Sequence, residues 1–161
     1  MKDKNKSRCA SLIALIIAVF FSAVTAHAQV GLSASTLFVR NGQCAQFSSR
    51  CQSNLKNAGF SLVSTRNVPA YYEDDNYNVI RTKGVEKTFS KGGIRVKLTS
   101  YAGSSQPYFI KISFPNSQSR NSFLNSLSRV GFSPNSGSTY ITPTGIFVEV
   151  KGNSVEIAYW S

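Results

Sequence analysis

Two glutamates near the C-terminus have the type and spacing for carboxylate chemistry. Glu149 and Glu156 flank Gly152-Asn153, a two-residue loop with Gly first that suits a type II′ hairpin turn. That register pairs Val150 with Val155 and Val148 with Ile157, and it sets Glu149 opposite Glu156. Facing carboxylates about 5–5.5 Å apart are the pair of a retaining glycosidase. Their other reading is as solvated charges offset by a neighbouring lysine such as Lys151, and the lack of a sugar cleft in so short a chain favours it. No catalytic residue is assigned.

Nucleophilic chemistry lacks its parts. The one histidine, His27, falls in a leader-like segment, so a Ser-His-Asp triad or Cys-His pair cannot be assembled beyond it. There is no G-x-S-x-G elbow and no glycine-rich phosphate loop. Asp74-x-Asn76-x-Asn78 matches the start of a calcium loop, but Val79 and Val85 stand where Gly and Glu are needed. No metal or cofactor is expected.

What remains is recognition chemistry. Tyr71, Tyr72, Glu73, Asp74, Asp75 and Tyr77 crowd three tyrosines and three of the six acids of residues 29–161 into one stretch. Tyrosine supplies contact area at low entropic cost. Phe147 and Trp160 are expected to add aromatic surface on an open sheet face. Arg95, Lys97 and Lys111 form an alternative, an anion-binding strand face.

The elements that position these residues follow from a repeated phrase. Cys51–Phe60 and Phe123–Phe132 both read as a helix ending in Gly-Phe. Cys51, Leu55 and Ala58, like Phe123, Leu127 and Val130, share one helical face, and Gly59 and Gly131 sit where a helix stops in a left-handed residue. Asn41 and Asn116 are the expected N-caps. Strand-like alternation follows in each half, at 93–98 and 109–114, then at 145–150 and 155–160. The expected fold is therefore α+β: two tandem helix-strand-strand-strand repeats, about 35–114 and 115–161, with both helices on one face of an antiparallel sheet. The first repeat carries an insertion at about 64–86, because the helix ends are 72 residues apart and the strands 52. Tandem helix-plus-sheet units of this kind are similar in outline to the β-lactamase-inhibitor-type architecture, a likeness of plan.

Residues 1–28 combine a basic head, an apolar run and Ala26-His27-Ala28, the pattern of a secretory signal peptide. The expected product is one periplasmic or secreted domain, 29–161, with no transmembrane segment after leader removal. It carries 14 basic and 6 acidic residues, without the basic runs of a nucleic-acid arm. Cys44 and Cys51 are its only cysteines. They can close a disulfide if the helix starts near Ser48 or Ser49, and are two packing residues if Asn41 caps it, because seven helical residues rise about 10.5 Å. The functional expectation is a non-enzymatic binding protein for another protein or an envelope component. Polyanion or anionic-lipid binding is the alternative, and a small carboxylate hydrolase the least favoured.

Overall fold

The computed structural model describes residues 31–159 except Asp75. The leader expectation, on residues 1–28, lies outside the described residues, as do Asp75 and Trp160. Among the described residues no helix is long and apolar enough to cross a membrane.

The fold is α+β. A short helix α1 (Ala34–Leu37) leads into a hairpin of β1 (Phe38–Asn41) and β2 (Cys44–Phe47). Helix α2 (Cys51–Asn57) is followed by β3 (Ser61–Glu73), β4 (Val79–Lys91), β5 (Ile94–Tyr101) and β6 (Phe109–Ser113). Helix α3 (Ser117–Leu127), with a 3-10 turn at Ser128–Val130, is followed by β7 (Ser133–Pro134), β8 (Thr139–Ile141), β9 (Ile146–Lys151) and β10 (Ser154–Tyr159). The last eight strands form one antiparallel sheet in the order β3-β4-β5-β6-β10-β9-β8-β7. Two runs of helix plus four-stranded meander thus meet along β6 and β10. Three strands per run were expected, and four are present. The short β7 and β8, Ser133–Pro134 and Thr139–Ile141, carry too little alternation to be read as strands.

The repeated phrase folds the same way twice. Gly59 N–H donates to the Lys56 carbonyl and Phe60 N–H to the Leu55 carbonyl, both at 2.9 Å. Gly131 and Phe132 make the equivalent bonds to Ser128 and Leu127, both at 3.2 Å. This pair of bonds is the Schellman motif, which needs a left-handed residue at the glycine. Gly59 has φ 84° and Gly131 has φ 101°. Each phenylalanine is then buried in the core.

The two helix starts differ. Asn116 caps α3 as expected, its Oδ1 accepting from Ser119 N–H at 2.8 Å. Asn41 is no cap. It ends β1 and pairs with Cys44 across a tight turn, so Cys44 lies on a strand and α2 begins only at Cys51. The hairpin wins because Phe38, Ala45 and Phe47 fall on one buried face and Gly42, with φ 62°, supplies the turn.

The core fills the helix side of the sheet. Ile94, Val96, Leu98, Ile110, Ile112, Val148, Val155 and Ile157 are all buried there against Cys51, Leu55, Phe123 and Leu127. The other side of the sheet is the outer face.

The expected insertion is regular structure. Its extra residues lengthen β3 and β4 into 13-residue strands, paired without a break from Ser64–Thr88 to Glu73–Val79. β5 pairs with β4 only from Ile94–Lys91 to Tyr101–Gly84. From Lys83 to Val79 the hairpin runs on as a two-stranded ribbon, with β3 as the sheet edge.

Candidate functional site

The ribbon tip carries the tyrosine-and-acid stretch. Tyr71, Tyr72 and Glu73 end β3, and Asp74 opens the turn. Tyr77 N–H donates to the Asp74 carbonyl, and Asp74 N–H to the Asn78 carbonyl, both at 3.0 Å. The Asp74 carboxylate is consumed by this turn. Its Oδ1 accepts from the amides of Asn76 at 2.9 Å and Asn78 at 2.8 Å, and its Oδ2 from the Asn78 side chain at 3.2 Å. The Asn78 hydrogen bonds hold its pKa below the usual value. Asp74 therefore shapes the tip, and its oxygens face the turn's own amides.

Tyr77 takes a left-handed conformation, φ 61°, and is the one non-glycine to do so among the described residues. A bulky side chain pays for that geometry, and such strain gathers at contact points. The residue is 84 % exposed. Tyr71, Tyr72 and Val79 are exposed around it, as are Leu62 and Val63 at the far end of β3.

Alternation separates the neighbouring tyrosines. Tyr72 stands on the outer face, edge-on to Tyr101 with centroids 6.2 Å apart, and Tyr101 stacks on Tyr108 at 4.5 Å. Tyr101 also donates to the Tyr71 carbonyl at 3.0 Å, tying the ribbon to the end of β5. Tyr71 itself is opposite Arg81 on the helix side. Glu73 is exposed and opposite Val79.

Phe147 does not join this tip. It lies half-buried on the outer face, in register with Ala158 and Ile141. β9 is five strands from β3, about 24 Å at the spacing of a sheet. The tyrosine tip and the Phe147 surface are separate places.

The strand face of Arg95, Lys97 and Lys111 is charge-balanced where the two lysines stand. Lys111 Nζ is 2.7 Å from Glu156 Oε1, and Lys97 Nζ is 3.6 Å from Glu86 Oε1. Arg66 adds a closer partner to Glu86, at 2.8 Å. Glu149 and Glu156 do pair across the β9–β10 hairpin. Lys151 bridges them, its Nζ 2.8 Å from each. Hydrogen bonds from Lys111 and then Lys151 hold the Glu156 pKa below the usual carboxylate value. Both carboxylates are thus engaged by lysines of the outer face.

Cys44 and Cys51 are both free thiols. Cys51 is buried, donates to the Leu37 carbonyl at 3.0 Å, and has its pKa pushed up to about 12 by desolvation. That raises the cost of the reactive thiolate.

The residues reasoning from sequence missed are Arg81, Lys83 and Lys87. They alternate along β4, Arg81 and Lys83 within the stretch read as an insertion and Lys87 just past its end. Their period-two spacing was the available signal.

The molecule is thus an α+β protein whose long hairpin projects past its sheet. Compared with known proteins, the chain matches no family model, no curated sequence and no solved structure.

Proposed function

We propose that this is an exported, non-enzymatic binding protein that recognises another protein or an envelope component through the β3–β4 ribbon. The observation that carries the reading is the crowding of exposed aromatic and apolar side chains, Tyr71, Tyr72, Tyr77 and Val79, on a hairpin projecting beyond its sheet. Tyrosine-rich, exposed and held on a regular ribbon, the tip offers contact area with little left to order on binding. Strain at Tyr77 supports the same reading, because a glycine there would fold more cheaply. The two helix-plus-meander runs are read as copies of one module, the first extended to make the contact arm. Export follows from the leader-like residues 1–28 and is part of the proposal.

The test is affinity capture from the native envelope, run in parallel with wild type and with Tyr71→Ala/Tyr72→Ala/Tyr77→Ala. The variant is expected to keep its circular dichroism spectrum and to lose the captured partner. Undiminished capture would sink the proposal.

A further inference from the structure

The helix side of β4 in the ribbon carries three cations, with one acid, Glu73, at the tip of the same side. Alternation from buried Phe89 sets Lys87, Val85, Lys83 and Arg81 on that side of β4. Helix α2 reaches as far as Lys87, whose Nζ donates to Gln52 Oε1 at 2.8 Å. Beyond it, Lys83 and Arg81 are exposed. Their partners on β3 are Pro69 and Tyr71, and Lys87 faces Thr65. None of these is acidic. Among the described residues, the ion pairs use Arg66, Lys97, Lys111 and Lys151, and none uses Arg81, Lys83 or Lys87.

The two faces of one sheet therefore differ in kind. On the outer face Glu86 sits between Arg66 and Lys97, and Glu156 between Lys111 and Lys151. On the helix side three cations alternate with no carboxylate opposite them, and Glu73 closes the row at the tip. A cleft of about 560 Å³ opens beside Asn67, Pro69, Arg81, Lys83 and Ala102. A second, of about 470 Å³, opens beside Lys87, Gln52 and Ser104.

We infer that the Arg81–Lys83–Lys87 row receives an extended acidic segment of the protein partner, with carboxylates two residues apart. This rests on the ribbon being a contact arm and adds the chemistry of what it contacts. Alternate residues of a strand lie about 6.6–7 Å apart, so Arg81 and Lys83 match carboxylates at i and i+2 of an extended chain. A lipid headgroup surface calls for clusters of about four to eight basic residues. A nucleic acid calls for a longer track of phosphate contacts. Here three cations are set among Pro69, Tyr71 and Val79, a mixture of basic, aromatic and apolar groups that suits a protein surface.

The probe is a synthetic peptide alternating Glu and Thr, titrated calorimetrically into the protein at low salt. Wild type is expected to bind it, with affinity falling as salt rises. Arg81→Gln/Lys83→Gln should weaken binding roughly 10-fold, and Lys97→Gln/Lys111→Gln, on the opposite face, by less than about 2-fold. No binding by wild type, or an equal loss in both variants, overturns the inference. So does tighter binding of heparin or of anionic phosphatidylglycerol vesicles than of the peptide. The two readings fail separately. Capture of the native partner that survives Arg81→Gln/Lys83→Gln removes the acidic segment and leaves the arm. Capture that survives the tyrosine variant removes the arm, whatever the peptide does.

Discussion

Lys111 and Glu156 face each other across the one seam that joins the two meanders, Nζ to Oε1 at 2.7 Å. The seam is otherwise apolar on its helix side, where Ile112 meets Val155 and Ile110 meets Ile157. Charge matching on the outer side and burial on the inner side fix the same register. A one-residue slip of β10 would turn Glu156 towards the core and leave Lys111 without its partner.

Both seam residues are partly exposed, so solvent screening keeps the pair modest. A double-mutant cycle with Lys111→Met and Glu156→Gln should give a coupling of about 0.5–1 kcal/mol. Lys151→Met should act differently. It leaves Glu149 facing Glu156 without a cation between them, and the pKa of Glu156 should rise. Carboxylate titration by NMR reads that shift, and an unmoved value would refute the bridging role.

Stability should depend on acid in a defined direction. The Glu86 pKa is lowered, chiefly by the Arg66 hydrogen bond, and the Glu156 pKa by Lys111 and then Lys151. A folded-state pKa below the unfolded value contributes stability that is present above the unfolded pKa. That stability is lost as pH falls through the folded pKa. With an ordinary glutamate value of 4.5, the melting temperature should hold steady from neutral pH to about 5 and fall below it. Glu86→Gln/Glu156→Gln should flatten the fall.

The two Schellman glycines should not be equally replaceable. A Cβ on Gly131 would lie 2.6 Å from the Gln43 carbonyl oxygen, a backbone atom of the β1–β2 turn. A Cβ on Gly59 would meet the Lys91 Nζ at 3.0 Å, the tip of a flexible side chain. Gly131→Ala should cost about 2–4 kcal/mol, from left-handed strain plus collision, and Gly59→Ala about 1–2 kcal/mol from strain alone. Urea unfolding of both variants checks the order.

Tyr77→Gly should separate stability from recognition. Removing a bulky residue from φ 61° relieves about 1 kcal/mol, read as a raised unfolding midpoint. The same change removes an exposed ring from the tip, and capture of the native partner should weaken. A variant more stable and equally competent would count against Tyr77 as a contact.

The free thiols give a chemical check. Cys44 is half-buried on β2, whereas Cys51 is buried in the core. A thiol reagent should label Cys44 in the folded protein and Cys51 only on unfolding. A protected pair released by reductant would show a bond in place of two thiols.

Much of the fold was legible because it is written in short-range pattern. The two Gly-Phe endings fixed where each helix stops, since φ 84° and φ 101° suit glycine alone. The Gly152-Asn153 turn fixed the register that sets Glu149 against Glu156. Period-two apolar residues from Ile94 to Leu98 and from Ile110 to Ile112 named the buried face. The candidate site was legible only as composition, three tyrosines beside three acids. Its geometry came from long-range pairing. Asn41 looked like a cap because helix caps and hairpin turns draw on the same residue types, and the pairing with Cys44 decided between them. The pleat parts Tyr71 from Tyr72, but which of them faces outward was set by the ladder with Arg81 and Ile80. Lys97 and Lys111 became ion-paired, and Arg81 and Lys83 did not, through which strands came to lie side by side. Local sequence sets turns and faces through backbone sterics, but the neighbour across a sheet is set by the whole chain's packing, and that neighbour decides which charges and rings are left to meet a partner.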